Sequence, residues 1–140
     1  MIRKGNAIWK GGLKDGQGTV SLDSGLMANT PYNFVQRFED QPGTNPEELV
    51  AAAHAACFAM AFSGKLEAAG TKPESIEVKA SLTFEKLDVG FTGTRMHLEA
   101  VAKVPGASPE AILKCAEDAK RTCPISRMLN TTITLEVKVA

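Results

Sequence analysis

The sequence predicts an α+β protein with mostly antiparallel sheets and one long central helix. Three observations predict it. Short β-type runs separated by turn residues open the chain. Residues 45–70 form an Ala-rich segment bracketed by helix start and stop signals. Residues 75–104 hold two long segments of strict apolar–polar alternation, as half-buried strands require.

The opening strands are "GNAIWKGG" and "GTVSL", separated by the turn sequence "LKDGQ". "PYNFVQRFE" reads as a third strand. As such it places Tyr32, Phe34, Gln36 and Phe38 on one face and Asn33, Val35, Arg37 and Glu39 on the other. "DQPGTN" follows as a loop.

The helix "NPEELVAAAHAACFAMAFSGKLEAAG" begins with Asn45 as a cap and Pro46 in the first turn. Glu47 and Glu48 lie at the positive end of the helix dipole. Gly70 ends it. About 24 residues at ~1.5 Å each give roughly 36 Å of helix. Its centre is apolar on every face and is expected to be buried all round. A chain of 140 residues has difficulty enclosing such a helix alone, so a dimer whose long helices bury one another is expected.

In "SIEVKASLTFEKLDV", Ile76, Val78, Ala80, Leu82 and Phe84 share a face. In "GTRMHLEAVAKV", so do Met96, Leu98, Ala100, Ala102 and Val104. The linker "GFTG" makes the two an antiparallel hairpin. "SPEAILKCAEDAKR" is a second main helix capped by Ser108, "CPISRML" a short helix, and "TTITLEVKV" the last strand.

Sixteen basic residues balance sixteen acidic ones, with no long charge block. This disfavours nucleic acid and anionic membrane surfaces as partners. The start "MIRKGNAIWKGG" lacks the apolar core of a signal peptide, and the low-charge run 49–64 is short for a bilayer span. The expectation is a cytoplasmic protein with one domain over residues 1–140. Three cysteines in a reducing compartment are no disulfide framework.

Cys123 precedes Pro124 at the start of a short helix, near Arg121 and Arg127. Such a position suits a thiolate, or merely a small capping residue. Cys57 lies mid-helix, where burial alone raises the pKa and makes a thiol inert. His54, three residues earlier on the same face, is first a helix side chain bonded elsewhere and second a base for Cys57. Cys115, beside Ala111, Ile112 and Ala119, reads as packing. A zinc site is the weaker alternative, because no two cysteines have the short spacing of a structural site.

"FVQRFED", "GTNPEELVAAAHAACFAMA" and "CPISRML" together resemble the osmotically inducible protein C (OsmC) family, which includes the organic hydroperoxide resistance proteins. The likeness runs over nearly the whole chain, and "YNFVQRFE" favours the OsmC branch. The resemblance implies an OsmC-like intertwined homodimer without metal, haem or other cofactor. It implies a thiol peroxidase that reduces organic hydroperoxides, and hydrogen peroxide less efficiently, to alcohols. By motif, Cys57 corresponds to the peroxide-attacking cysteine and Cys123 to the resolving one. Arg37 corresponds to the arginine that assists the thiolate, and Glu47 to the glutamate that orients it. An apolar surround of Phe34, Phe38, Phe58 and Met60 is expected to favour alkyl hydroperoxides. An external dithiol, by family analogy a lipoylated protein or a small dithiol, returns the disulfide to two thiols.

Helix arithmetic adds one expectation. Glu47 and Cys57 lie ten residues apart, roughly 15 Å of rise and some 80° of turn. Two long helices crossing antiparallel near Ala52 bring Glu47 of one chain to Cys57 of the other, so the site is expected to be shared across the dimer. The competing readings are a thiol–disulfide redox sensor using the same two cysteines, and a dimeric binding protein with an apolar cleft and idle thiols. No Cys-x-x-Cys motif supports the first. Full ligand affinity after Cys57→Ser would mark the second.

Overall fold

The computed structural model describes residues 1–140. Its contacts divide the chain into two compact units, Met1–Leu49 and Val50–Ala140.

The first unit holds a three-stranded antiparallel sheet of β1 (Gly5–Lys10), β2 (Gln17–Leu22) and β3 (Thr30–Tyr32), in that order. Gly18 pairs with Trp9 on one side and Tyr32 on the other. The two rings lie 5.5 Å apart, centroid to centroid. A Cβ on Gly18 would run into both, so glycine is required for their approach.

The segment expected to be a third long strand divides differently. Only Thr30–Tyr32 is strand, and Phe34–Phe38 is a short helix, α1. Two features override the alternation. Asn33 is extended and its Oδ1 accepts the Gln36 amide at 3.0 Å, which starts a helix. Phe34 and Phe38 are four residues apart, a spacing that fits one helix face as well as one strand face; their rings pack at 4.8 Å. Gln36 Nε2 then donates to the Pro42 carbonyl at 3.2 Å. The Gln36 side chain occupies the space a Cβ on Gly43 would need. Gly43 also has φ +139°, so this loop depends on glycine.

The long helix α2 spans Pro46–Ala68, with the Glu48 amide donating to Asn45 Oδ1 at 2.8 Å. By length and composition it is apolar enough to cross a membrane. Its buried residues are His54, Phe58, Phe62 and Leu66, one stripe at four-residue spacing, and the three apolar ones belong to the protein core. Burial on all sides is therefore not achieved within one chain. Ala52, Ala53, Ala56 and Met60 remain exposed, because a helix against one layer covers one face only.

In the second unit, β4 (Ser75–Leu87) and β5 (Gly90–Lys103) form a long antiparallel hairpin. Its turn is Asp88–Val89, not the later "GFTG" linker; Gly90 takes φ +119° there, and Phe91–Gly93 continue the strand. β6 (Thr132–Val139) adds in parallel beside β5, reached through α3 (Pro109–Thr122) and α4 (Pro124–Met128). The register aligns apolar rows across the sheet: Leu82, Met96 and Ile133; Ala80, Leu98 and Leu135; Val78, Ala100 and Val137. Phe58, Phe62 and Leu66 of α2 and Ile112, Cys115, Ala116 and Ala119 of α3 complete this core.

Candidate functional site

The four motif residues fall into two side-chain pairs, one in each compact unit.

The first pair is Arg37 with Glu47. The Asn33 cap fixes α1, and Arg37 leaves it in its last turn. The guanidinium is gripped by one carboxylate: Nη2 donates to Oε1 at 2.9 Å, and Nε to Oε1 at 3.1 Å and Oε2 at 3.4 Å. Glu47 sits in the first turn of α2, and its side chain is only 16 % exposed. The guanidinium carbon also lies 5.1 Å from the centre of the Phe38 ring. Arginine's planar fork is thereby oriented on two sides. Beside it lies a cavity of about 210 Å³ walled by Trp9, Leu13, Tyr32, Phe34 and Phe38, with Arg37 as its charged member. Phe34 and Phe38 were legible as pocket candidates. Trp9, Leu13 and Tyr32 were missed, because Trp9 and Tyr32 enter from the sheet and Leu13 from the β1–β2 turn through tertiary packing.

The second pair is Cys57 with Cys123. Cys57 is half-buried on α2, and Cys123 is fully buried where α3 gives way to α4. Both thiols are free, and the Cys123 thiol donates to Cys57 Sγ at 2.8 Å. Cys123 stands at the N-cap of α4 but makes no side-chain capping bond; its sulfur is turned to Cys57 instead. Burial pushes the Cys57 thiol pKa up, and the interaction with Cys123 pushes it further; a hydrogen bond with the Ile125 backbone opposes them. Cys57 in these surroundings needs a cation to react as a thiolate near neutral pH.

The remaining candidates are placed as follows. Phe58 has no exposed surface and packs against Phe62 at 5.7 Å, within the core. Met60 is 81 % exposed on α2. Cys115 is a core residue whose thiol donates to the Lys65 carbonyl at 3.6 Å. His54 is fully buried, and its Nε2 is 2.7 Å from Ser126 Oγ. Ser126 was not singled out from sequence, although its spacing from Cys123 mirrors that of His54 from Cys57. No group of three or more His, Cys, Asp or Glu side chains is placed to hold a metal ion.

Comparison with known proteins agrees across levels. The family model for OsmC-like protein matches residues 38–138. Peroxiredoxin OsmC of Escherichia coli is 44% identical over 137 residues, 98% of this chain and 96% of that protein. Organic hydroperoxide resistance protein OhrB of Bacillus subtilis is 32% identical over 124 residues, 86% of this chain and 89% of that protein. The crystal structure of OhrB from Bacillus subtilis superposes with a TM-score of 0.71, covering 96% of this chain and 98% of that one at 24% identity. An OsmC-like protein from Mycoplasma pneumoniae shares the fold with a TM-score of 0.78, covering 100% and 98% at 14% identity. The motifs, the paired thiols and the match along both compact units lead to one conclusion: the chain belongs to the OsmC family.

Proposed function

We propose that this protein is a cysteine-based peroxidase that defends against hydroperoxides, with organic hydroperoxides as preferred substrates. The observation that carries the reading is the contact of Cys57 and Cys123, two reduced sulfurs 2.8 Å apart and 66 residues apart in sequence. The names of the relatives, a peroxiredoxin and an organic hydroperoxide resistance protein, support the same chemistry.

The Cys57 thiolate attacks the distal oxygen of the hydroperoxide. The S–O bond forms as the O–O bond breaks, giving Cys57 sulfenic acid and an alkoxide that takes a proton to become the alcohol. Arg37 lowers the thiolate's pKa and holds the developing negative charge on the peroxide oxygens. Glu47 keeps the guanidinium in its working orientation. The Cys123 thiol then displaces hydroxide from the sulfenic sulfur, and water leaves as the disulfide forms. An external dithiol, small or lipoyl-borne, reduces the disulfide by exchange and is itself oxidised.

The working form is a homodimer in which Arg37 and Glu47 of one chain serve Cys57 of the other. The ten-residue separation of Glu47 and Cys57 along one helix and the exposed small residues of α2 support this reading. The aromatic cavity beside Arg37 supports a preference for alkyl over hydrogen peroxide. The upward push on Cys57 favours one other reading, a slow thiol switch. Reduced protein treated with one equivalent of cumene hydroperoxide decides between them. Rapid loss of two thiols, a Cys57–Cys123 disulfide, free Cys115 and sustained turnover with dithiol are expected. Slow, indiscriminate oxidation would sink the peroxidase; slow but selective formation of the Cys57–Cys123 disulfide, without turnover, would leave the switch.

A further inference from the structure

Two contacts join α2 to α4, one buried and one partly buried. His54 of α2 meets Ser126 of α4, and Cys57 of α2 meets Cys123 at the start of α4. The residues are three apart on each segment, so the contacts form two rungs, with the earlier residue of α2 opposite the later residue of α4. His54 is fully buried, Ser126 is 9 % exposed, and the second ring nitrogen of His54 has no partner. Burying an imidazole with one nitrogen unpaired costs stability where an apolar side chain would pack without penalty. The rest of α4's inner surface, Ile125 and its flanking Leu129, is apolar and partly buried. Apolar attraction is itself non-directional and constrains register and distance along a helix face only through side-chain shape. A hydrogen bond between rigid elements fixes both.

We propose that His54 and Ser126 are positioning residues for disulfide closure: their bond locks α4 in register on α2 and so holds Cys123 at the sulfur of Cys57. The proposal rests on the peroxidase reading for its biological use, but not for its geometry. The step it governs is the condensation of Cys57 sulfenic acid with the Cys123 thiol, forming one S–S bond and releasing one water. Intramolecular reactions of this kind depend steeply on placement, and a misplacement of about 1 Å costs on the order of a hundredfold. A slow closure leaves the sulfenic acid exposed to a second hydroperoxide, which oxidises it to the sulfinic acid. The pair therefore sets how much peroxide the enzyme withstands.

The test is Ser126→Ala in the full chain, with His54→Gln as the conservative partner, because the glutamine amide reaches near the place of Nε2. Rapid-quench mass spectrometry with cumene hydroperoxide follows Cys57 oxidation and disulfide formation separately. For Ser126→Ala, the first step is expected within about twofold of wild type, closure slowed by about tenfold, and the sulfinic fraction raised in excess peroxide. His54→Gln is expected to close within about threefold of wild type. Closure at the wild-type rate in Ser126→Ala, or equal slowing of both steps, would overturn the proposal.

Equilibration against a dithiothreitol redox buffer gives a readout independent of peroxide. A tenfold drop in the effective concentration of Cys123 raises the disulfide's potential by about 30 mV; an unchanged potential overturns the proposal. Wild-type protein inert to hydroperoxide but with the shifted potential in the variant would remove the peroxidase reading and keep the positioning one. Should Ser126→Ala not fold, His54→Leu is read by the same two measurements, with slowed closure and a raised potential expected.

Discussion

Cys57 is a thiol that its own surroundings hold back. Burial and Cys123 both raise its pKa, so a thiolate near neutral pH has to come from a cation. Arg37→Ala is expected to move the pH midpoint of Cys57 alkylation upward. It should also cut the rate with hydroperoxide by about a hundredfold or more, the usual scale for losing one donor at a developing charge. Iodoacetamide labelling across pH and single-turnover kinetics check both. Glu47→Gln should cost less, since the guanidinium stays charged and loses only its clamp. Cys123→Ser is expected to leave the first step near wild type and to accumulate sulfinic acid at Cys57, which intact mass would reveal. His54 gives a prediction of opposite character. Burial lowers its pKa from 6.5, so the folded protein binds fewer protons there than the unfolded chain. Its neutral form is fully accommodated above pH ~6.5, and stability is lost as pH falls below that toward the lowered folded pKa. Urea midpoints at about pH 7.5 and 5.5 should diverge more in wild type than in His54→Leu.

Helices and strands show which local signals dominate. The β4–β5 faces followed the alternation, with a register shift between Thr83 and Phe84, since five apolar positions at period two define one strand face. The start of α2 followed from Asn45, Pro46 and the paired acids. α1 did not follow, because Phe34 and Phe38 satisfy both periods and the deciding bond, Asn33 to the Gln36 amide, is a choice between two local geometries. In the proposed mechanism the element matters because it aims Arg37. Asn33→Ala is expected to lower the hydroperoxide rate several-fold while shifting the melting temperature by only a few degrees, in line with the loss of one cap of about 1 kcal/mol. In the core, Phe58→Ala should cost about 3–5 kcal/mol, because Phe58 is wholly enclosed between α2 and the sheet. Differential scanning calorimetry separates the two effects.

At the scale of the whole molecule, α2 poses the main question. One stripe of it is buried, while Ala53, Ala56 and Met60 stay exposed on another face. Small residues at helical spacing allow two helices to approach closely, and a second copy of α2 is the occupant expected there. Ala56→Glu should shift the protein from dimer to monomer in light scattering and abolish peroxidase activity together with it. A monomer with full activity would rule out a site shared between chains.

The sequence by itself determined the α+β class, the faces of β4 and β5 and the long helix, because periodicity and capping are local properties, and the resemblance of its motifs to the OsmC family named Cys57, Cys123, Arg37 and Glu47 as candidates. Only the tertiary structure decided that Cys123 turns from its helix terminus to touch Cys57, that His54 bonds Ser126, and that Trp9, Leu13 and Tyr32 wall the cavity beside Arg37. Most of these are contacts between residues tens of positions apart. They are fixed by how a helix settles on a sheet and a ring on a strand, and no local pattern encodes that choice.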